Sequence, residues 1–246
     1  MTQTAPVRAV LFDMDNTLID WSGFQDGWRE LERRHLRKVY DFVRTEGYTP
    51  TGSFDDFVLH YTERVVAMWE EARNTLRAPH MGLTLSEVLA EFGCVIPDDE
   101  FSACLDAYGW GGVDGVRVFE DVIDVLETLQ KRGIRMGIVT NAYQPMWLRD
   151  IELQQYGLMP FFGDQKTRIS AADVGYLKPH PQIFQHALAQ IGTAPEETLF
   201  VGDNVVADIA GAQGAGMRAI LRVNHPAPNL LSGLILPDAA INSFHE

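Results

Sequence analysis

Apolar positions along this chain fall into two regimes, and the change between them sets the architecture to expect. Near the N-terminus, Val7 to Phe12 is a short apolar run, which predicts a strand buried inside a parallel sheet. From about Phe24 to Thr45, Trp28, Leu31, Val39 and Phe42 share one helical face, with Arg29, Glu32, Arg33 and Lys38 elsewhere. Phe54, Phe57, Val58, Tyr61, Val65, Met68, Trp69, Ala72 and Leu76 recur at spacings of three and four. They predict a second amphipathic helix, with Ser53 and Asp56 as its capping signal. Thr84-Leu85-Ser86-Glu87 reads as a capping box opening a shorter helix that Gly93 ends. Pro97 starts a fourth helix, carrying Phe101, Cys104, Leu105 and Tyr108. Nothing between Trp21 and Tyr108 reads as a strand.

The glycine-rich stretch Gly109-Trp110-Gly111-Gly112-Val113-Asp114-Gly115 reads as a hinge or linker. Beyond it helix and strand alternate. Helices are predicted at Asp121 to Arg132, Pro145 to Tyr156, Pro181 to Ile191 and Val206 to Ala215. Strands are predicted at Arg135 to Thr140, Thr167 to Ser170, Thr198 to Val201 and Met217 to Val223, with a further one at Leu234 to Leu236. Strands separated by single helices imply right-handed crossovers and a parallel sheet covered on both faces. The all-helical segment is then an insertion after the first strand.

Several of these strands end in polar groups where apolar packing would otherwise continue. The first runs into Asp13 and Asp15, and ligands in open α/β sheets bind outside the carboxyl ends of strands. Asp13 at the strand tip suits a nucleophile or metal ligand, and Asp15 a general acid/base; an ordinary Asp-rich turn, with Asp15 or Thr17 as a helix cap, is the competing reading. Thr140 and Asn141 end another buried strand and can bind a phosphoryl oxygen beside a helix N-terminus, or simply cap that helix. Lys178 precedes a helix in a turn stiffened by Pro179 and Pro181; it reads as a solvated surface lysine or, if set beside a carboxylate cluster, as one that neutralises phosphate and nucleophile charge. Asp203 sits at a further strand tip behind Gly202. Asp208, in the next helical turn, is placed to complement the helix dipole or to support Asp203 and Lys178. Carboxylates gathered from separate strand ends repel one another, and a hard, oxygen-liking cation resolves that repulsion. A set without His or Cys points to Mg²⁺ rather than zinc.

Composition narrows the classes. A length of 246 residues suits one large domain or a domain plus a smaller one, and 46% hydrophobic residues imply a packed core. The formal charge of −14 argues against a nucleic-acid or anionic-membrane surface. No apolar run approaches the ~20 residues of a membrane span. Cys94 and Cys104 do not make a disulfide framework and read as buried hydrophobes. The N-terminal residues lack the pattern of a signal peptide, so a cytoplasmic protein is expected.

Asp13-x-Asp15-x-Thr17, Thr140-Asn141, Lys178-Pro179 and Gly202-Asp203-x-x-x-x-Asp208 together resemble the four ordered motifs of the haloacid dehalogenase superfamily. The resemblance covers Val7 to about Val223. It implies an α/β fold with a Rossmann-like core from residues 1–20 and 110–246, and a mobile helical cap from 21–109 hinged near Asp20 and Trp21. It implies an aspartyl-phosphate intermediate on Asp13, with Asp15 as acid and base and as an Mg²⁺ ligand through its backbone carbonyl. Thr140 and Asn141 would bind the phosphoryl group, Lys178 would pair with it and with Asp13, Asp203 would ligate Mg²⁺, and Asp208 would support the metal. The expected activity is Mg²⁺-dependent hydrolysis of a small phosphorylated metabolite, of the phosphoglycolate or nucleoside monophosphate kind, by a monomer or homodimer. The alternatives are a phosphomutase of the β-phosphoglucomutase kind, a metal-independent 2-haloacid dehalogenase, which would lack Asp15, and a non-catalytic scaffold. In the cap, Arg77 and His80 are the expected substrate contacts. Arg29, Arg33, Arg34 and Arg73 read as solvated, and Trp69, Trp110 and Tyr143 either stack on a substrate ring or pack internally.

Overall fold

The strand β1 (Ala9–Phe12), buried at all four positions, lies inside a six-stranded parallel sheet in the computed structural model, which describes residues 5–224 and 235–246. From β1 the chain turns into β2 (Ile19–Asp20). It then forms four helices, α1 (Trp28–Thr45), α2 (Phe54–Thr75), α3 (Met81–Glu91) and α4 (Asp98–Tyr108). It returns through β3 (Arg117–Val118), which pairs antiparallel with β2. Alternation follows: α5 (Val122–Lys131), β4 (Arg135–Thr140), α6 (Met146–Gln155), β5 (Arg168–Ser170), α7 (Ala171–Val174) and α8 (Pro181–Ile191). The last elements are β6 (Thr198–Gly202), a π-wound turn Val205–Ala210 leading into α9 (Gly211–Gly214), β7 (Arg218–Arg222) and β8 (Ala239–Ile241).

The sheet order is β5-β4-β1-β6-β7-β8. The chain moves outward from β1 through β4 and β5, then crosses back to build β6 to β8 on the other side. The reversal falls at β1, so its carboxyl end lies at a topological switch point, where such sheets bind ligands. Phe12 is in register with Ile138 of β4 and Val201 of β6. Asp13, Thr140 and Asp203 therefore leave the sheet at the same edge. This α/β architecture is the one the alternating pattern predicts.

The helices of the insertion pack on one another and continue the apolar core that covers one side of the sheet. Val39 and Val43 of α1, Phe57 and Tyr61 of α2, Leu85 and Val88 of α3 and Tyr108 of α4 are all fully buried. Burying each such side chain contributes about 1.5–3 kcal/mol. Ser53 caps α2 by the reciprocal Ser53–Asp56 arrangement that the sequence predicts. Cys94 and Cys104 are free and buried, as expected. At the base of the insertion its two linkers cross at glycines: a Cβ on Gly23 would collide with the Gly115 carbonyl, and one on Gly115 with the Gly23 carbonyl. Gly115 also has φ +81°, which favours glycine.

Four local readings differ from the structure. α1 begins at Trp28 rather than near Phe24, because Gly27, at φ +78°, ends the extended entry. α3 begins at Met81, capped by His80, and not at the Thr84 box. Met81, Leu85, Val88 and Leu89 supply the inward stripe, which leaves Thr84 inside the helix, its hydroxyl donating to the His80 carbonyl at 3.1 Å. The last strand is Ala239–Ile241. Of the predicted Leu234 to Leu236, Leu234 lies outside the described residues and Ile235 and Leu236 are not in a strand; pairing starts only where Asp238 accepts from the Ala219 amide at 2.8 Å. The two-residue ribbon β2–β3 has no counterpart in the sequence reading.

Candidate active site

The tip of β1 continues its ladder for one more bond, Asp13 N–H to the Val201 carbonyl at 2.8 Å, which fixes the direction of the Asp13 side chain. Asp13 is 7% exposed. Lys178 Nζ donates to Asp13 Oδ1 at 2.6 Å and to the Val139 carbonyl at 2.7 Å, and lies 2.7 Å from Asp208 Oδ1. Thr17, fully buried, donates its hydroxyl to Asp13 Oδ2 at 3.2 Å. Asn141 holds Lys178 by the backbone: its Nδ2 donates to the Lys178 carbonyl at 3.0 Å and its Oδ1 accepts the Lys178 N–H at 2.7 Å. The ammonium is thus aimed from both ends of its residue.

Asp203 follows β6, and Asp208 returns to the same point from the π-wound turn, where it accepts the Asn204 N–H at 2.9 Å. Asp13, Asp203 and Asp208 offer oxygen atoms within 4.8 Å of one another. Burial, reinforced by Asp208, Asp203 and Asp15 and opposed by Lys178, pushes the Asp13 carboxyl up to about 8. Burial and Asp208 push Asp203 up to about 6. Lys178 is held above its ordinary value: burial opposes its charge, but Asp13 and Asp208 outweigh it. Three carboxylates around one ammonium leave negative charge uncompensated in a buried place. An all-oxygen anionic set of this kind fits a hard divalent cation.

Gly202 is required by close approach, since a Cβ there would collide with Asp208 at its Cβ and carboxylate. Because Asp208 is pinned by Lys178 and the Asn204 amide, Gly202→Ala forces it out of place. We expect Gly202→Ala to lower kcat/KM by about 10²-fold, the cost of displacing one aligned charge, with a lower Tm read by thermal unfolding.

Asp15 sits outside this cluster, on its own network. Its Oδ1 accepts from Trp21 Nε1 at 2.8 Å and from Arg149 Nη2 at 2.7 Å. Arg149 lies 3.0 Å from Glu152 Oε2, which also accepts from Trp110 Nε1 at 2.9 Å. Arg149 is 3% exposed and Glu152 0%. Burial, opposed by Arg149, pushes Glu152 up to about 7, while Asp15 and Glu152 outweigh burial and hold the Arg149 guanidinium above its usual value. Trp21 and Trp110 stand on the two linkers of the insertion, so both linkers are tied to Asp15.

A cavity of about 500 Å³ opens beside Asp15, between the insertion and the sheet edge. Trp69, Trp110 and Tyr143 line it, with Trp21, Phe24, Trp28, Asn141, Gln144 and Arg149. Thr140 is buried at the end of β4, and its hydroxyl makes no hydrogen bond among the described residues. Arg77 and His80 are placed elsewhere. The Arg77 guanidinium lies 4.5 Å from the centre of the Tyr176 ring, and His80 Nδ1 accepts the Leu83 N–H as the cap of α3. The sequence reading missed Arg149, Glu152 and Gln144. A signal existed for Arg149: it shares the inward stripe of α6 with Met146 and Leu153, where a solvated arginine does not belong.

Residues 7–216 match the family of haloacid dehalogenase-like hydrolases. The chain is 30% identical over 213 residues to the glyceraldehyde 3-phosphate phosphatase of Methanopyrus kandleri, covering 86% of this chain and 82% of that one. It is 40% identical over 103 residues to the pyrophosphatase PpaX of Bacillus pumilus, a match spanning only 42% of this chain and 45% of the relative. A crystal structure of a HAD phosphatase from Thermococcus onnurineus shares the fold, with TM-score 0.57 and 24% identity over 98% of this chain and 95% of that one. With the four motifs gathered at one edge of the sheet, the chain belongs to the haloacid dehalogenase-like hydrolase family.

Proposed function

We infer that the chain hydrolyses a small phosphate monoester with Mg²⁺, in the cytoplasm, through a phosphorylated Asp13. The observation that carries this reading is Asp13 held on Lys178 beside two further acids, with Asp15 set apart on Arg149. Asp13 attacks phosphorus, a P–O(Asp13) bond forms and the P–O(ester) bond breaks. Asp15 gives its proton to the leaving oxygen. It then takes a proton from the water that attacks the acyl phosphate, and inorganic phosphate leaves with Asp13 restored. Lys178 and the Thr140 hydroxyl hold phosphoryl oxygens, while Asn141, spent on the Lys178 backbone, acts by fixing that lysine.

Asp13 and Asp203, with the Asp15 carbonyl and with Asp208 behind, would hold Mg²⁺, which when bound would supply positive charge against the approach of two anions. Residues 21–109 form the cap, and residues 1–20 with 110–246 the core. The cavity lined from both supports a cap that excludes bulk water during transfer. A metal-independent dehalogenase would lack the acid at Asp15.

Chelation tests the reading. EDTA is expected to lower phosphate-ester hydrolysis by at least about 10²-fold and Mg²⁺ to restore it. Independently of activity, Mg²⁺ raises the Tm of the metal-free protein in proportion to the logarithm of its concentration. Hydrolysis indifferent to EDTA, or chloride release from a haloacid without phosphatase activity, would overturn it.

A further inference from the structure

We propose that the cavity beside Asp15 takes an uncharged planar aromatic ring carried by the leaving alcohol of the phosphate ester, as in a nucleoside 5′-monophosphate. This rests on the phosphatase reading and names the substrate class. Two aromatic groups from different elements meet at the cavity. Trp21, Phe24 and Trp28 form one, with ring centres 4.9 Å apart for Trp21–Trp28 and 5.1 Å for Phe24–Trp28. Trp69 of α2 and Tyr143 form the other, 6.4 Å apart. Tyr143 is held there because its hydroxyl donates to Glu32 Oε2 at 2.8 Å. Trp28 packs on its two neighbours yet is 59% exposed, an aromatic face left open.

The charges select against anionic leaving groups. Among the described residues, the one cation lining the cavity is Arg149, already committed to Asp15 and Glu152. A carboxylate or second phosphate on the leaving group would lose water there and meet no free positive charge. An uncharged ring loses little water and gains stacking on tryptophan. Gln144 adds a polar handle: it is 4% exposed, lines the cavity, and its side-chain amide makes no hydrogen bond among the described residues. A buried amide offering both donors and an acceptor matches a ring edge or a sugar hydroxyl. At about 500 Å³ the cavity has room for a ring with its sugar.

The test compares kcat/KM of the full chain with Mg²⁺ for AMP, UMP and flavin mononucleotide against phosphoglycolate, pyrophosphate and acetyl phosphate. Ring-bearing esters are expected to exceed phosphoglycolate by about tenfold or more. Trp28→Ala, a substitution at an exposed position, should cut that ratio about tenfold through KM, the effect of losing one stacking partner. Where esters are turned over, preference for phosphoglycolate or pyrophosphate, or AMP and UMP no better than acetyl phosphate, would overturn the proposal. Tryptophan fluorescence of Asp13→Asn gives a reading separate from turnover. Saturable quenching by AMP or UMP, and none by phosphoglycolate, supports the ring site even if no ester is hydrolysed, in which case the phosphatase reading alone fails. No quenching by any ring-bearing ester sinks the ring site.

Discussion

Asp13→Asn is expected to reduce kcat for phosphate-ester hydrolysis by at least about 10⁴-fold, because the amide cannot form the acyl phosphate. The same substitution should stabilise the metal-free protein at neutral pH. Burial of Asp13, reinforced by the charges of Asp208, Asp203 and Asp15, is not fully offset by the ammonium of Lys178, so its carboxyl is pushed up to about 8. An acid whose folded pKa lies above its unfolded value near 3.8 binds more protons folded than unfolded between those limits. Its contribution to stability therefore falls as pH rises from about 4 to about 8. Asparagine removes that loss while Lys178 keeps its pairing with Asp208. Thermal unfolding in EDTA across pH 4–8 should show a flatter profile for Asp13→Asn and, at pH 7–8, a Tm above the wild type. Activity within tenfold of wild type would rule out Asp13 as the nucleophile. A variant less stable than wild type at pH 8 would mean that Lys178 already balances the charge of Asp13.

The sheet and its acids were legible because a buried parallel strand is written almost wholly in apolar residues, so a polar residue at its end stands out. Asp13 after Val10-Leu11-Phe12 and Asp203 after Phe200-Val201-Gly202 are visible on that ground alone. Their meeting follows from the parallel register, which ends β1, β4 and β6 at one edge. Helix ends were less legible because local signals compete. The Thr84 box is a sound capping pattern, but burying Met81 with Leu85 and Leu89 starts α3 a turn earlier and recruits His80 as the cap. The β2–β3 ribbon spans two residues on each side, too few to show any period.

The second half of the site was harder to read because its partners are joined only by the fold. Asp15 and Arg149 are 134 residues apart, and each looks ordinary where it stands. Arg149 could pass for the solvated side of α6, although its place among Met146 and Leu153 marks it as buried. The aromatic lining has the same character. Trp28 reads as a core position of α1, yet the helix turns it to the cavity mouth. Core packing and ligand stacking draw on the same residue types, so only the exposed face separates them.

Lys178→Met is expected to damage both the stability and the chemistry of the site, because it removes one buried positive charge from two carboxylates and a carbonyl. Nζ donates to Asp13 Oδ1 and to the Val139 carbonyl and forms an ion pair with Asp208 Oδ1, all within 2.7 Å. The methionine stem fills the 3%-exposed slot, so packing is largely kept and the loss is electrostatic. Breaking a buried ion pair from one side costs about 3–5 kcal/mol, and ~1 kcal/mol moves Tm by about 2–4 °C in a chain of this size. A Tm loss of about 10 °C is therefore expected at pH 8 in EDTA. It should shrink toward pH 5, because without Lys178 the Asp13 carboxyl titrates still higher and protonation relieves the repulsion. Mg²⁺ should recover part of the Tm by supplying the missing charge, yet kcat/KM should stay about 10³-fold down, since the metal does not replace the donor aimed at Asp13 and the phosphoryl oxygens. A Tm loss independent of pH and Mg²⁺ would show that Lys178 acts through packing rather than charge.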